Sequence, residues 1–255
     1  MNEDQKKGSK TAKDGFKNEQ FVVDCFNNWK DDSLAQDWLK EMKYILIEIQ
    51  YVKAEKIIGH YKADIQVQVE IKLKNLTDSQ NIQVKLVSNE KGFNQIDKRW
   101  VDKYQELWNI PEATANIFKH FTGELSPYVK NPEDPRRMYI GELSEADQKN
   151  LLSFLNEKKM LIVSDILKGQ GKFSAEWMLV IVKENKIKIT GWALKPINEV
   201  MHYYGNGDIR VTKQRGIKRG IKIGNITMQR KGGDDGRSTA KMLQFKINPA
   251  ELLKI

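Results

Sequence analysis

Three residues of this 255-residue chain, Asp64, Gln83 and Lys85, have the types and spacing to do chemistry together. A carboxylate can bridge hard divalent cations through both oxygens, and an amide oxygen can add a neutral ligand. An ammonium can orient an attacking water and stabilise charge on a phosphorane. Such a set suits metal-assisted hydrolysis of a phosphodiester. With an amide where a second carboxylate would be more usual, the site is one negative charge short, and weaker metal affinity is expected.

For the three to meet, the stretch from Tyr61 to Lys98 must form a hairpin. Ile65, Val67, Val69, Ile71 and Leu73 alternate with Asp64, Gln66, Gln68, Glu70 and Lys72, and Ile82, Val84 and Leu86 alternate with Gln83 and Lys85. Two period-2 runs joined by a polar segment predict antiparallel strands with one apolar face. A turn centred at Lys74-Asn75 sets Asp64 opposite Lys85 and Gln66 opposite Gln83, so the three functional side chains share a face. Asp64 with Glu70-Ile71-Lys72 has the same spelling but the wrong geometry. Six residues of one strand separate Asp64 from Glu70 by roughly 20 Å, too far to share a cation.

An Asp followed after a gap by Gln-x-Lys resembles the active site of the PD-(D/E)XK nucleases. The segments GSKTAKDGFKNE (8–19), AQDWL (35–39), NIQVKLVSN (81–89), GFNQIDK (92–98), HFTGEL (120–125), RRM (136–138), INEV (197–200), HYYGNGDI (202–209) and QRKGGDDGR…MLQFKINP (229–249) more closely resemble the HinP-type type II restriction endonucleases, the GCGC cutters. They occur in that family's order and cover nearly the whole chain. Ala63 departs from the family, which has Ser before the Asp; the lost hydroxyl concerns a secondary water or metal contact.

The resemblance implies an α/β fold with a mixed central sheet flanked by helices. It further implies Mg2+-dependent cleavage of double-stranded DNA at GCGC, with two ions per active site held by Asp64, Gln83 and Val84. Lys85 and a first-helix carboxylate, Glu19, complete the catalytic set, Glu19 as an outer ligand or water-positioner; a plain helix-surface role for Glu19 is equally open. A cytoplasmic prokaryotic protein follows, acting as a monomer or weak homodimer, with a separate cognate methyltransferase as its functional counterpart.

Charge agrees with a nucleic-acid partner. The net +9 is concentrated: residues 208–246 carry 11 basic and 3 acidic residues. A localised surplus suggests a polyanion, and duplex DNA is the commonest one. A single cysteine, Cys25, excludes an internal disulfide, and the three histidines have no nuclease or protease spacing. Neither a signal peptide nor an apolar run of membrane-spanning length is present in the sequence.

Two stretches combine residues suited to DNA. Phe93, Asn94, Gln95 and Lys98 follow the hairpin, where an aromatic ring can wedge against a base step and amides can reach base edges. The second is 225–247, a predicted hairpin with Leu243, Phe245 and Ile247 inward and Thr227, Gln229, Lys231, Gln244 and Lys246 outward. Gln229, Arg230, Lys231, Asp234 and Arg237 are its candidate base readers, in a basic cleft with the central sheet; a solvated hairpin touching phosphates alone is the alternative.

Residues 1–13 read as a flexible basic tail and 14–255 as one nuclease domain, with 208–247 as its DNA-reading subregion. A first helix, about 15–29, uses Phe16, Val22, Val23, Phe26 and Trp29 as its core stripe. Further expectations are strands at 45–47 and 160–166, a helix from Gln95 to Trp108 offering Lys98, Arg99 and Lys103 to phosphates, and a hairpin over 177–189. Two other functions compete: a DNA-binding module without activity, invited by Gln83, and a structure-specific repair nuclease.

Overall fold

The computed structural model describes residues 16–59, 61–71, 76–184, 188–214, 216–232 and 237–255. The basic tail, Asp14, Lys72 and Asp234 lie outside the described residues. In chain order the elements are helices α1 (16–27) and α2 (Ser33–Glu41), then strands β1 (Ile49–Lys56), β2 (Ile65–Ile71), β3 (Leu76–Val87) and β4 (Asn94–Arg99). Helices α3 (Val101–Trp108), α4 (Glu112–Thr122) and α5 (Glu145–Leu167) follow, with strands β5 (Trp177–Glu184) and β6 (Lys188–Pro196) and helix α6 (Ile197–Gly205) after them. Strands β7 (Ile209–Gln214), β8 (Ile217–Ile223), β9 (Ile226–Arg230) and β10 (Leu243–Ile247) complete the set. The chain divides into two compact units, one holding residues 16–92 with Leu167–Val200 and Asn248–Ile255, the other Phe93–Ile166 and Met201–Ile247.

The first unit is built on a mixed sheet of order β1-β2-β3-β5-β6, in which β3 and β5 run parallel and all other pairs antiparallel. Strict alternation in β2 buries Ile65, Val67 and Val69 completely. Their face packs against Val22 and Phe26 of α1 and Trp38 and Leu39 of α2, with Ile82, Val84, Leu179, Ile181 and Leu194 from the neighbouring strands. Burial of each such side chain contributes about 1.5–3 kcal/mol. Strand β1 is an edge, and α1 closes it: the Asn27 side-chain amide donates to Ala54 O at 3.1 Å and accepts from Ala54 N–H at 2.7 Å.

The second unit holds an antiparallel sheet of order β4-β10-β9-β8-β7. Tyr104 and Trp108 of α3 stack at 4.3 Å and meet Phe245 of β10 edge-on. Arg99 bridges the buried carboxylates of Asp97 and Asp165, while Tyr104 OH donates to Asp97 and Trp108 Nε1–H to Asp165.

The α/β class holds, with a mixed sheet flanked by helices, while several local expectations change. The β2–β3 register is Ile65 to Ile82 and Ile71 to Leu76, two residues from the predicted one, so Asp64 falls across from Gln83. A two-residue slip preserves the face of every side chain, whereas a one-residue slip would reverse it.

Residues 94–99 are strand β4, not the start of a helix, because their backbone pairs with β10; helix begins at Val101. Residues 160–166 belong to α5: Met160 and Leu161 are exposed while Ile162, Val163 and Ile166 are buried, a helical spacing that a short apolar run conceals. Residues 46–48 form a 3-10 turn rather than strand. Phe16 is 62% exposed, and Asn18 instead continues the buried stripe of α1. Gln244, expected outward, is buried. Arg99 is committed to two carboxylates and is not available to phosphates.

Candidate active site

The geometry of the site follows from a change of partner along β3. Its first half pairs with β2 as far as Ile82, and from Ile82 to Val87 its other edge pairs with β5. Beyond Ile82 the β2 side of β3 therefore has no regular ladder. Asp64, one residue before β2, occupies that point: its N–H donates to Ile82 O at 2.9 Å, and Val84 N–H donates to its Oδ2 at 2.7 Å. The carboxylate stands where a strand carbonyl would otherwise accept. In extended backbone the N–H and C=O of one residue point to the same side. The Val84 carbonyl thus faces the edge on which the Asp64 carboxylate sits.

Lys85 Nζ lies 3.9 Å from Asp64 Oδ2, and both side chains are largely buried. Gln83 is 2% exposed, and its buried Oε1 has no hydrogen-bond partner. An orphaned carbonyl oxygen costs about 1–3 kcal/mol, and a cation would satisfy it. Glu19 enters from α1, 3.9 Å from Lys56 Nζ. Burial chiefly, then the Asp64 charge, raises the Glu19 carboxyl above the usual range, against the pull of Lys56 and Lys85. Asp64 is also raised, by burial, with Lys85 and the Val84 N–H opposing. Two carboxyls within electrostatic reach, both costly to ionise, form a place that favours positive charge.

Oxygen donors from a carboxylate, an amide and a backbone carbonyl fit a hard divalent cation. Among the described residues no group of three or more His, Cys, Asp or Glu could hold a metal ion. The decoy Glu70 pairs with Thr77 well along the strand. Ala63 is buried and its N–H donates to Phe173 O at 3.4 Å. Asn81, which the sequence did not single out, ties three elements: its side chain accepts from Gln66 and donates to Lys172 O, and its N–H donates to Glu176.

The candidate DNA-contact residues belong to the second unit. Phe93 is 51% exposed, and Lys98 and Gln95 are exposed on β4, next to Asn94. Gln229 Nε2 donates to Gln244 Oε1 at 3.3 Å, and Gln244 Nε2 to Gln95 Oε1 at 2.6 Å, a row of amides across β9, β10 and β4. A bulge at Ile96 sets Gln95 opposite Lys246 and so within reach of Gln244. Arg230 is held from one side, its Nε–H donating to Thr122 O at 2.7 Å. Arg237 is exposed, Lys231 half-buried. Arg137, Tyr139 and Arg219 gather near Arg230 although they are far apart in sequence, and no local pattern could have announced it.

No helix among the described residues is long and apolar enough to cross a membrane. No curated protein matches the chain. Among solved structures, the restriction endonuclease MspI in complex with its cognate DNA is similar at a TM-score of 0.62 and 14% identity, over 96% of this chain and 93% of that one. That likeness concerns the fold. The family model of the R.HinP1I restriction endonuclease matches residues 42–253, a span that includes Asp64, Gln83 and Lys85 and both sheets. The chain therefore belongs to the R.HinP1I restriction endonuclease family and is a type II site-specific deoxyribonuclease.

Proposed function

We propose that this protein cleaves double-stranded DNA at GCGC with Mg2+, using Asp64, Gln83 and the Val84 carbonyl as cation ligands and Lys85 and Glu19 as accessory groups. Divalent-metal dependence is general among restriction endonucleases of this family. The observation that carries the residue assignment is the buried, partnerless Gln83 Oε1 across from Asp64, where β2 leaves β3. When bound, Mg2+ supplies Lewis acidity and lowers the pKa of a coordinated water.

This chain's own residues do the remaining work. Asp64 is held in one orientation by the Val84 N–H. Lys85, close to Asp64, is placed to orient water and to balance charge that develops on the phosphate. Glu19, raised and beside Lys56, can accept a hydrogen bond from that water and position it. GCGC rests on the sequence resemblance, and reading of the bases is assigned to Phe93, Asn94, Gln95, Lys98, Gln229, Lys231, Asp234 and Arg237. The amide row fixes Gln95 and Gln229 before any DNA arrives, which lowers the entropy cost of using them.

Plasmid containing GCGC, incubated with Mg2+, provides the test. Wild type is expected to cut with all sequenced ends inside GCGC, whereas Asp64→Ala binds without cutting and Lys85→Ala binds but cuts far more slowly. An intact plasmid would make the protein a DNA-binding module in which Gln83 marks a lost carboxylate. Ends at mismatches or branches, without GCGC, would make it a repair nuclease.

A further inference from the structure

Within the second unit, beside β8 and β9, lies a pocket of about 330 Å3 lined by Arg137, Tyr139, Arg219, Thr227, Gln229 and Arg230 among others. No carboxylate is among its lining residues. Two guanidinium groups pack against the Tyr139 ring, with Arg137 Cζ 4.3 Å and Arg219 Cζ 4.9 Å from its centroid. The Nε atoms of Arg137 and Arg219 are buried and make no hydrogen bond. Acidic neighbours compensate weakly: Asp134 makes its closer contacts with Arg136, leaving Arg137 Nε at 3.4 Å, and Glu133 is 3.9 Å from Arg219. Burial first, then the charges of Arg137 and Arg136, lowers the Arg230 guanidinium from its ordinary value.

Three like charges around one cavity, two of them with unsatisfied N–H groups, form an arrangement that an anion would relieve. Guanine recognition fits less well. A base edge is neutral and needs one arginine fork, and one donor of Arg230 is already spent on the Thr122 carbonyl. The volume accommodates a phosphate with hydrating water.

We propose that the Arg137, Arg219 and Arg230 pocket is a phosphate-group site, filled by a backbone phosphate of duplex DNA; the DNA source rests on the nuclease reading above. Arg230 then positions the duplex rather than reading a base. Metal-free binding of two duplexes, one with GCGC and one without, measured over a salt series, tests it without requiring cleavage.

Arg219→Gln is expected to weaken both duplexes about equally and to reduce the slope of log K against log salt by about 0.9, one phosphate's worth. Arg219→Lys, which keeps the charge, should retain most of the slope. Should Arg219→Gln fail to fold, Thr227→Glu offers a second route. Its carboxylate supplies an anion from within, and the same slope should be lost. A loss confined to the GCGC duplex would overturn the proposal in favour of base reading, and an unchanged slope in every variant would overturn the DNA source. In that last case, inorganic phosphate that raises the melting temperature of wild type but not of Arg219→Gln would reassign the site to free phosphate. No phosphate effect would remove the site altogether. Plasmid cleavage by wild type is scored separately, so a failed nuclease reading and a failed pocket are distinguishable.

Discussion

At the residue scale the candidate site stores an electrostatic cost that a cation can relieve. A carboxyl raised on folding is penalised once it ionises. The Asp64 penalty is absent well below the ordinary carboxyl range, where folded and unfolded forms are both protonated, and grows as pH rises above that range until the folded carboxyl has ionised. Asp64→Asn removes the charge while its amide oxygen can still accept from Val84 N–H. Metal-free Asp64→Asn should therefore melt higher than wild type in neutral buffer, by about 2–4 °C per kcal/mol relieved, and should cut no DNA. For Lys85→Ala the expected cleavage loss is about 10²–10³-fold in single-turnover assays, typical of removing one stabilising donor. Cys25 needs no functional role: burial, then the Asp32 carboxylate, pushes its thiol up to about 12. Iodoacetamide at pH 8 should label it in unfolded protein and hardly at all in folded protein.

At the scale of elements, helix ends and strand partners decide where side chains can act. Gly123 ends α4 at φ +85°, and a Cβ there would fall on the Arg136 carbonyl oxygen. Gly123→Ala should lower stability by at least the roughly 1–3 kcal/mol of left-handed strain. It should also displace the 136–139 segment, so calorimetry and the salt slope of DNA binding should change together. On β4, Arg99 neutralises two buried carboxylates. Arg99→Met leaves Asp97 and Asp165 without that cation, and a loss of about 3–5 kcal/mol is expected from denaturant midpoints. Such a loss would mark Arg99 as structural, despite its place beside Lys98 in a stretch that otherwise suits DNA.

For the whole molecule, charge and chemistry are divided along the chain. The candidate cation site lies in the unit containing β2 and β3, and the basic segment 208–246 lies in the other. Binding to non-cognate DNA should therefore survive Asp64→Ala unchanged and fall steeply with salt, by about 0.9 in log K per log unit for each phosphate contacted. Filter binding in EDTA, with and without the substitution, checks both statements. A loss of non-cognate binding on Asp64→Ala would mean that the two functions are not separable.

The sequence by itself determined the alternation of β2 and β3, hence the face on which Asp64, Gln83 and Lys85 meet. It also determined the family pattern and the pairing of 226–230 with 243–247, because period-2 burial and side-chain chemistry are local properties. A two-residue error in register left the three residues on one face for the same reason. Tertiary structure alone decided that β3 changes partner at Ile82, which opens the edge taken by Asp64, and that 94–99 and 160–166 exchange their expected strand and helix assignments. It alone brought Arg137, Arg219 and Arg230 around one pocket and committed Arg99 to carboxylates. Those outcomes depend on contacts between residues tens of positions apart, whose energies no window along the chain contains.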